Sequence, residues 1–537
     1  MMRTRTAHPS SPSRRPSSRS LHLERLEDRV LLSVDVYEGI AGLNWRVAGG
    51  CQPANPTGAV GHTHYLEGAG ESLGIYDRST GDFQVLHLGT VFPGSPPFLF
   101  CDTHVLYDDA SQRFVVAARG VDPADPLYYR WLYVAASDTS NPADGFTEIH
   151  RLDVRELQGT NIYHPESLSL GFTGEAVVVA MRMGRETGPG STVYSHMQVV
   201  ALGLKSLLDY DPKTLDEFVT DVQSPFNTAA VVMHEPGPGA SAWLIGFDQP
   251  SATLQVSRID QILSKSPAVQ VFTLDVPAFQ YAPNAPQPGG EIQVTRYLME
   301  SANWRNDQLV ASHSVGSDGV ARARWYEIGT GGGVPQLIQV GQIDPGPDIY
   351  TYNPTIDIGV QGEIGMAYLQ SSAKQYLSMY ATGRFPDEPT GTMQEPALVS
   401  EGMATVSSLG AGFYGGISVD PLSSSFWAAN ASAPEPIGWY SWISHFDVTP
   451  DSRPRGRIQD SEDRQQRPST ELSFQLPRDR TPLLSLLDAL VQVATIRSAD
   501  NEPSICRPNV PIDTGVQGDA VLTRDGLATD LQGAAVL

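Results

Sequence analysis

Cysteine is nearly absent, with Cys51, Cys101 and Cys506 the only three in 537 residues. None of their spacings resembles a zinc knuckle, and an odd count leaves at least one thiol unpaired in an exported monomer. Lysine is almost as scarce: Lys205, Lys213, Lys265 and Lys374 are the full set, so the basic charge is nearly all arginine. No apolar run is long enough for a secretory signal core or a membrane span, so the chain is expected to carry no transmembrane segment. Positive charge is short as well: the formal charge is −24 and the pI about 4.8, so the average surface repels polyanions and nucleic acid is excluded as a partner. Missing too are the Gly-x-Ser-x-Gly elbow, the His-Glu-x-x-His helix and the phosphate-binding loop. No cofactor motif is present; a structural calcium ion is the one cofactor left open.

What the chain has in quantity is punctuation. Fifty glycines and 41 prolines break it into short pieces, while 40% hydrophobic residues supply a sizeable core. Between residues 35 and 448 the pattern is strand, turn, strand. LGIYDRSTGDFQVLHL, HVLYDDASQRFVVAA, WLIGFDQPSATLQVS and GISVDPLSSSFWAAN each put apolar alternation on both sides of a polar turn. In these four hairpins Asp77, Asp108, Asp248 and Asp420 precede Phe83, Phe114, Leu254 and Phe426 by the same six positions. An aspartate ending a strand can accept hydrogen bonds from the amides just ahead of it, which builds the turn, and the apolar residue then opens the return strand. About two dozen strands without long helices between them exclude a parallel βαβ fold. A weak repeat of four-stranded units around an axis predicts an all-β chain folded as a β-propeller of about seven blades, with six and eight the neighbouring counts. A pair of long β-sandwiches is the architectural alternative.

The two ends read differently. Residues 1–34 form a basic Arg/Ser/Pro tail, expected to be disordered. It closes on LERLEDRVLLS, which resembles the LEPR-XLL motif of large exported bacterial surface proteins, with Glu24, Arg29, Leu31 and Leu32 at matching places and Arg25 where proline is usual. That resemblance implies export and sorting to the secreted or cell-surface side of a bacterial envelope. Residues 449–480 are a polar linker, and residues 481–498 predict an amphipathic helix capped by Thr481 with Pro482 in its first turn. Residues 499–537 are a weakly ordered tail.

The body between residues 45 and 448 resembles a large group of exported bacterial proteins with a sialidase-like β-propeller. The segments that carry the resemblance are residues 58–61 (GAVG), 102–114 and 418–427. It implies the propeller fold and leaves the activity open, because most of that group has none assigned and a fold does not fix a function. This chain departs from the pattern where Thr103 follows Asp102 in place of proline, and where residues 52–57 lack the usual acidic side chain.

Candidate site residues are few. The stretch CDTHVLYDDASQRFVVAARG gathers Asp102, His104, Asp108 and Asp109; with Asp108 assigned to the turn, Asp102 and His104 remain as a ligand or ion contact. His62 and His64, two apart in the strand candidate GAVGHTHYLEG, share one face of it with Cα atoms ~6 to 7 Å apart, close enough to chelate one ion, although a lone pair lacks the third and fourth ligands of a zinc site. HPES could aim His164 and Glu166 into a central channel, although Pro165 more simply ends a loop. Cys51 with Cys101 is a candidate disulfide. A sialidase would show Asp-box repeats, and the nearest stretch, SVGSDGVARARW, has the wrong threonine and tryptophan spacing. The expectation is therefore an exported propeller that binds or displays a glycan, a protein or an envelope component. A glycan-processing hydrolase or lyase with its site over the channel is the alternative.

Overall fold

The computed structural model describes residues 34–450 apart from the stretches 50–54, 93–98, 122–128, 189–190, 210–216, 223–226, 408–410 and 436–437. Glu24, Arg29, Leu31 and Leu32, Cys51, the linker, the helix expected at 481–498 and the C-terminal tail lie outside the described residues.

Nearly every element is a strand. β1 (Asp35–Asn44) is followed by a meander of β2 (Thr57–Val60), β3 (His64–Ala69), β4 (Ser72–Asp77) and β5 (Phe83–His87). A second meander follows: β6 (Leu99–Asp108), β7 (Arg113–Val121), β8 (Tyr129–Ala136) and β9 (Glu148–Asp153). After the short β10 (Glu156–Gln158) come β11 (Asn161–Phe172), β12 (Ala176–Gly188), β13 (Ser191–Gly203) and β14 (Glu217–Val222). Next are β15 (Asn227–Ala230), β16 (Val232–Met233), β17 (Ala242–Phe247), β18 (Thr253–Asp260) and β19 (Ala268–Asp275). A small hairpin, β20 (Ala285–Gln287) and β21 (Gly290–Ile292), precedes β22 (Ser301–Arg305), β23 (Gln308–Ser317), β24 (Val320–Gly329) and β25 (Gln336–Gln342). The last are β26 (Tyr350–Ile358), β27 (Ile364–Ser372), β28 (Gln375–Arg384), β29 (Ala397–Ser400), β30 (Gly416–Val419), β31 (Phe426–Ser432) and β32 (Tyr440–Asp447).

These strands form a β-propeller. Where seven separate blades were expected, five four-stranded sheets stand alone, and the runs β11 to β14 and β22 to β25 are fused into one larger sheet. The cause is β16. Having paired antiparallel with β17 through β15, the chain turns inward and β16 bonds in parallel to β11 (Phe172 beside Val232) and to β22 (Val232 beside Asn303). The N-terminal strand closes the ring: β1 adds to β32 as the outer strand of the sheet β1-β32-β31-β30, with Asp35 opposite Asp447.

The core lies between successive sheets rather than inside one. Ala59, Leu66 and Leu73 pack on Phe100, Phe114 and Val116 of the next sheet. Tyr65 and Tyr76 of the first meander pack on Trp427 and Ile443 of the closing sheet. Along the inner and middle strands successive side chains point to opposite faces and both faces are apolar, because neighbouring sheets cover both sides there, whereas the outer strands β5 and β19 are largely exposed. Aromatic residues serve this packing: Phe426 and Trp439 are fully buried, and Trp427 stacks on His445 at 4.5 Å between ring centroids.

Two local expectations are overturned. GAVGHTHYLEG is a hairpin, with Gly61 donating its N–H to the His64 carbonyl at 2.8 Å, so His62 sits in the turn and His64 opens β3. Gly61 permits the close approach: a Cβ there would meet Tyr107 Cε2 at 2.6 Å and Phe114 Cζ at 2.8 Å. Pro165 does not end a loop. It lies inside β11, at a bulge where the register slips between Pro165 and Ser167, a place where a missing N–H does no harm.

Candidate functional site

The inner strands β2, β6, β11, β22, β26 and β30, together with β16, surround a central channel, and the two ends of that channel differ. At the N-terminal end of β6 the backbone bulges between Cys101 and His104, and Asp102 takes a left-handed φ of 50°. The same device recurs at Asn353 in β26, φ 47°, and at Asn55 just before β2, φ 41°. Both asparagines head the tripeptide Asn-Pro-Thr, a repeat visible in the sequence and absent from the four-hairpin alignment. Asparagine and aspartate tolerate this region because a short polar side chain bonds locally.

All three left-handed residues hold one segment. Asn55 Oδ1 accepts from the Phe413 N–H at 2.7 Å, and Asn353 Nδ2 donates to the carbonyls of Ala411 (3.2 Å) and Gly412 (2.9 Å). Thr295 donates its hydroxyl to the Phe413 carbonyl at 2.8 Å. The Tyr414 phenolic oxygen lies 3.4 Å from Asp102 Oδ1 and 3.2 Å from His104 Nε2, its ring stacked on the His104 ring. Residues 411–414 therefore seal this end.

Asp102 and His104 are brought together through Tyr414, in a closed setting. Arg119 Nη2 pairs with Asp102 Oδ2 at 2.7 Å, both side chains nearly buried, while Nη1 donates to the Pro165 carbonyl at 2.7 Å. Burial pulls His104 down to about 4, against the opposing pull of Asp102, so at neutral pH the ring is uncharged. Burial pushes the Tyr414 phenol well up, helped by the Asp102 charge. Such a neutral His–Tyr stack over a buried ion pair holds the seal in place.

The remaining sequence candidates scatter. His62 Nε2 lies 2.7 Å from Asp109 Oδ1, whereas His64 Nδ1 lies 2.8 Å from Thr63 Oγ1 and its Nε2 3.8 Å from Asp77 Oδ2. The two histidines thus engage different partners and do not form the shared chelating face expected of one strand. His64 is lowered by burial, with Asp77 pulling the other way. His164 is buried in β11 opposite Gly184, and the side chain of Glu166 lies outside the described residues. Arg119 Nη2 donates to Cys101 Sγ at 3.4 Å. Asp77 Oδ1 accepts from the amides of Ser79 and Thr80, Asp108 Oδ2 from Ser111, and Asp420 Oδ1 from Leu422. Asp248 is exposed in its turn.

At the other end, the C-terminal ends of the inner strands enclose a cavity of about 400 Å³. Its walls are apolar, from Ala59, Val105, Phe172, Val232 and Val419, and its charged groups are mostly acidic. β16 delivers His234 and Glu235 to this cavity, with Glu235 at a left-handed φ of 49°. His234 Nε2 lies 2.8 Å from Asp357 Oδ1, and Arg305 Nη1 pairs with Glu235 Oε2 at 3.0 Å while its Nε donates to the Ile358 carbonyl. Asp420 is nearly buried, pairs with Arg78 and accepts from Trp427 Nε1 at 3.1 Å. Sequence reading missed His234, Arg305 and Asp357 because each finds its partner on a strand or turn remote in sequence; His234 and Asp357 are 123 positions apart.

Among the described residues no group of three or more His, Cys, Asp or Glu side chains is arranged to hold a metal ion, and no helix is long and apolar enough to cross a membrane. No family model matches the chain, and no curated protein matches it. Solved structures similar to it include a protein of unknown function from Dyadobacter fermentans, 9% identical over 78% of this chain and 100% of that one, with a TM-score of 0.39. A polysaccharide lyase is 10% identical over 74% of this chain and 90% of its own, TM-score 0.37. A Hadza microbial sialidase is 14% identical over 63% of this chain and 68% of its own, TM-score 0.35. These likenesses are too distant to bear on activity.

Proposed function

We propose that the chain is an exported, surface-displayed propeller that binds a glycan in the acidic cavity at the open end of its channel. The observation that carries the reading is the cavity itself. It has the volume of a small-ligand site, with apolar walls that suit sugar ring faces and carboxylates that suit pairs of hydroxyl donors. The ring counts seven units when the two fused runs are taken separately; the inner strands of six of them line the site, and β16 and the residues after it do so beside the seventh. An anionic sugar fits poorly, since Arg305, the one lining arginine among the described residues, is already engaged by Glu235 and Ile358. Export rests on the LEPR-XLL-like segment alone.

A second reading, a glycan-processing hydrolase or lyase, draws on the pair of Asp357 and His234: a buried carboxylate holding a partly exposed imidazole at a cavity wall is a common acid–base arrangement. One experiment separates the two. The purified protein is screened on a glycan array, and every bound glycan is then incubated with it and analysed for cleavage. Retention without cleavage, abolished by His234→Ala together with Asp109→Asn, supports binding. Cleavage lost in His234→Ala supports the enzyme, and neither binding nor cleavage overturns both.

A further inference from the structure

We propose that the cavity selects a ligand bearing a protonated amine, such as an amino sugar, held against Asp357. The proposal rests on the glycan reading above and names the class of glycan. Among the described residues five carboxylates line the cavity, those of Asp108, Asp109, Glu235, Asp357 and Asp420, against the single guanidinium of Arg305. Most are answered locally. Asp420 meets Arg78, Glu235 meets Arg305, and Asp109 meets His62.

Asp357 meets His234 but differs in being fully buried with one oxygen left without a donor. Its side chain is fully buried, and Oδ1 takes both of its donors, His234 Nε2 at 2.8 Å and the Ile358 N–H at 2.7 Å. Oδ2 has no hydrogen-bond partner. A buried carboxylate oxygen without a donor is costly, and a group that repairs it is correspondingly favoured. Asp108, also nearly buried in the same lining, receives the Ser111 amide on Oδ2 and adds negative potential. Screening is weakest at the buried carboxylates of Asp108 and Asp357, which apolar walls adjoin, so that part of the cavity is a well for a cation with hydrogens to donate. The carboxylates are too dispersed to chelate a metal ion, as the absence of any three-ligand group among the described residues states. An ammonium group needs only one of them, with ring hydroxyls satisfied by the others.

The test is isothermal titration calorimetry of the full chain with tetramers of β-1,4-linked glucosamine, N-acetylglucosamine and glucose, slightly below neutral pH and at low ionic strength. The glucosamine tetramer is expected to bind about tenfold or more tightly than its N-acetylated counterpart. Asp357→Asn should bring the two within about threefold, and added salt should shrink the advantage in the unaltered protein. Glu235 is exposed, and Glu235→Gln, which uncovers the Arg305 charge, should lower the preference in the same direction even if Asp357→Asn lowers the melting midpoint. Equal affinity for all three tetramers overturns the amine site and leaves glycan binding standing. No binding to any of them overturns the glycan reading and the amine site with it.

Discussion

Glu67 is the residue on which the closure of the ring meets its pH dependence. Its side chain is fully buried, where Oε2 accepts from the Leu43 N–H of β1 at 2.9 Å and Ser441 of β32 adds a second hydrogen bond. Burial nevertheless wins, pushing the carboxyl from 4.5 up to about 7. The folded protein therefore holds a proton that the unfolded chain releases. The stabilisation from this group is fully present below the unfolded value, declines as pH rises from 4.5 and is gone above about 7. Its size is on the order of 3 kcal/mol. Glu67→Gln should flatten that part of the profile and gain stability relative to the parent at pH 8 but not at pH 4, as read by denaturant unfolding at both. An unchanged difference between the two pH values would refute the assignment. At this scale the sequence was partly legible: Asp102 and His104 were singled out and do share a partner. That partner, Tyr414, was invisible, because no local pattern reports a residue more than three hundred positions away, and the counter-ion Arg119, present in the same stretch, meets Asp102 only through the pairing of β6 with β7.

At the scale of elements, the bulges decide which end of the channel is open. Asn353 does two things: it occupies a left-handed φ of 47° and anchors the carbonyls of Ala411 and Gly412. Asn353→Ala loses both, at a cost of about 1–2 kcal/mol for the backbone region and a comparable amount for the hydrogen bonds. Asn353→Gly loses only the bonds. Urea unfolding should place the alanine variant below the glycine variant by about 1 kcal/mol. If the two coincide, the left-handed backbone is not what asparagine is needed for. The Asx-type turns were readable because an aspartate and its amide partners are neighbours in sequence. The His62 and His64 error has the same root seen from the other side. Period-two alternation runs on through Gly61, and only the packing of Tyr107 and Phe114 against that glycine demands a turn.

For the whole molecule, the question is how a ring of sheets keeps its seam shut. Propeller interfaces are apolar and run between neighbours, so each sheet is held from two sides only while the ring is closed. The seam is β1 on β32, ten N-terminal residues completing a sheet whose other three strands come from the C-terminal part of the propeller. Ring and hairpins were legible from the repeat; the seam was not, since pairing of first strand with last leaves no periodic trace. Fusion of β11 and β22 through β16 was hidden for a related reason: two residues suffice to make that bridge. Removing residues 1–44 should therefore expose the edge of β32 and loosen one sheet before the others. In hydrogen exchange read by mass spectrometry, amides of β30, β31 and β32 should lose protection by about tenfold or more. Those of β12 and β23, on the fused side of the ring, should change far less. A synthetic peptide spanning residues 34–45, added in trans, should restore protection to β32 by strand addition. Uniform loss of protection around the ring would mean that the propeller unfolds as one unit and that β1 is no more than one strand among equals.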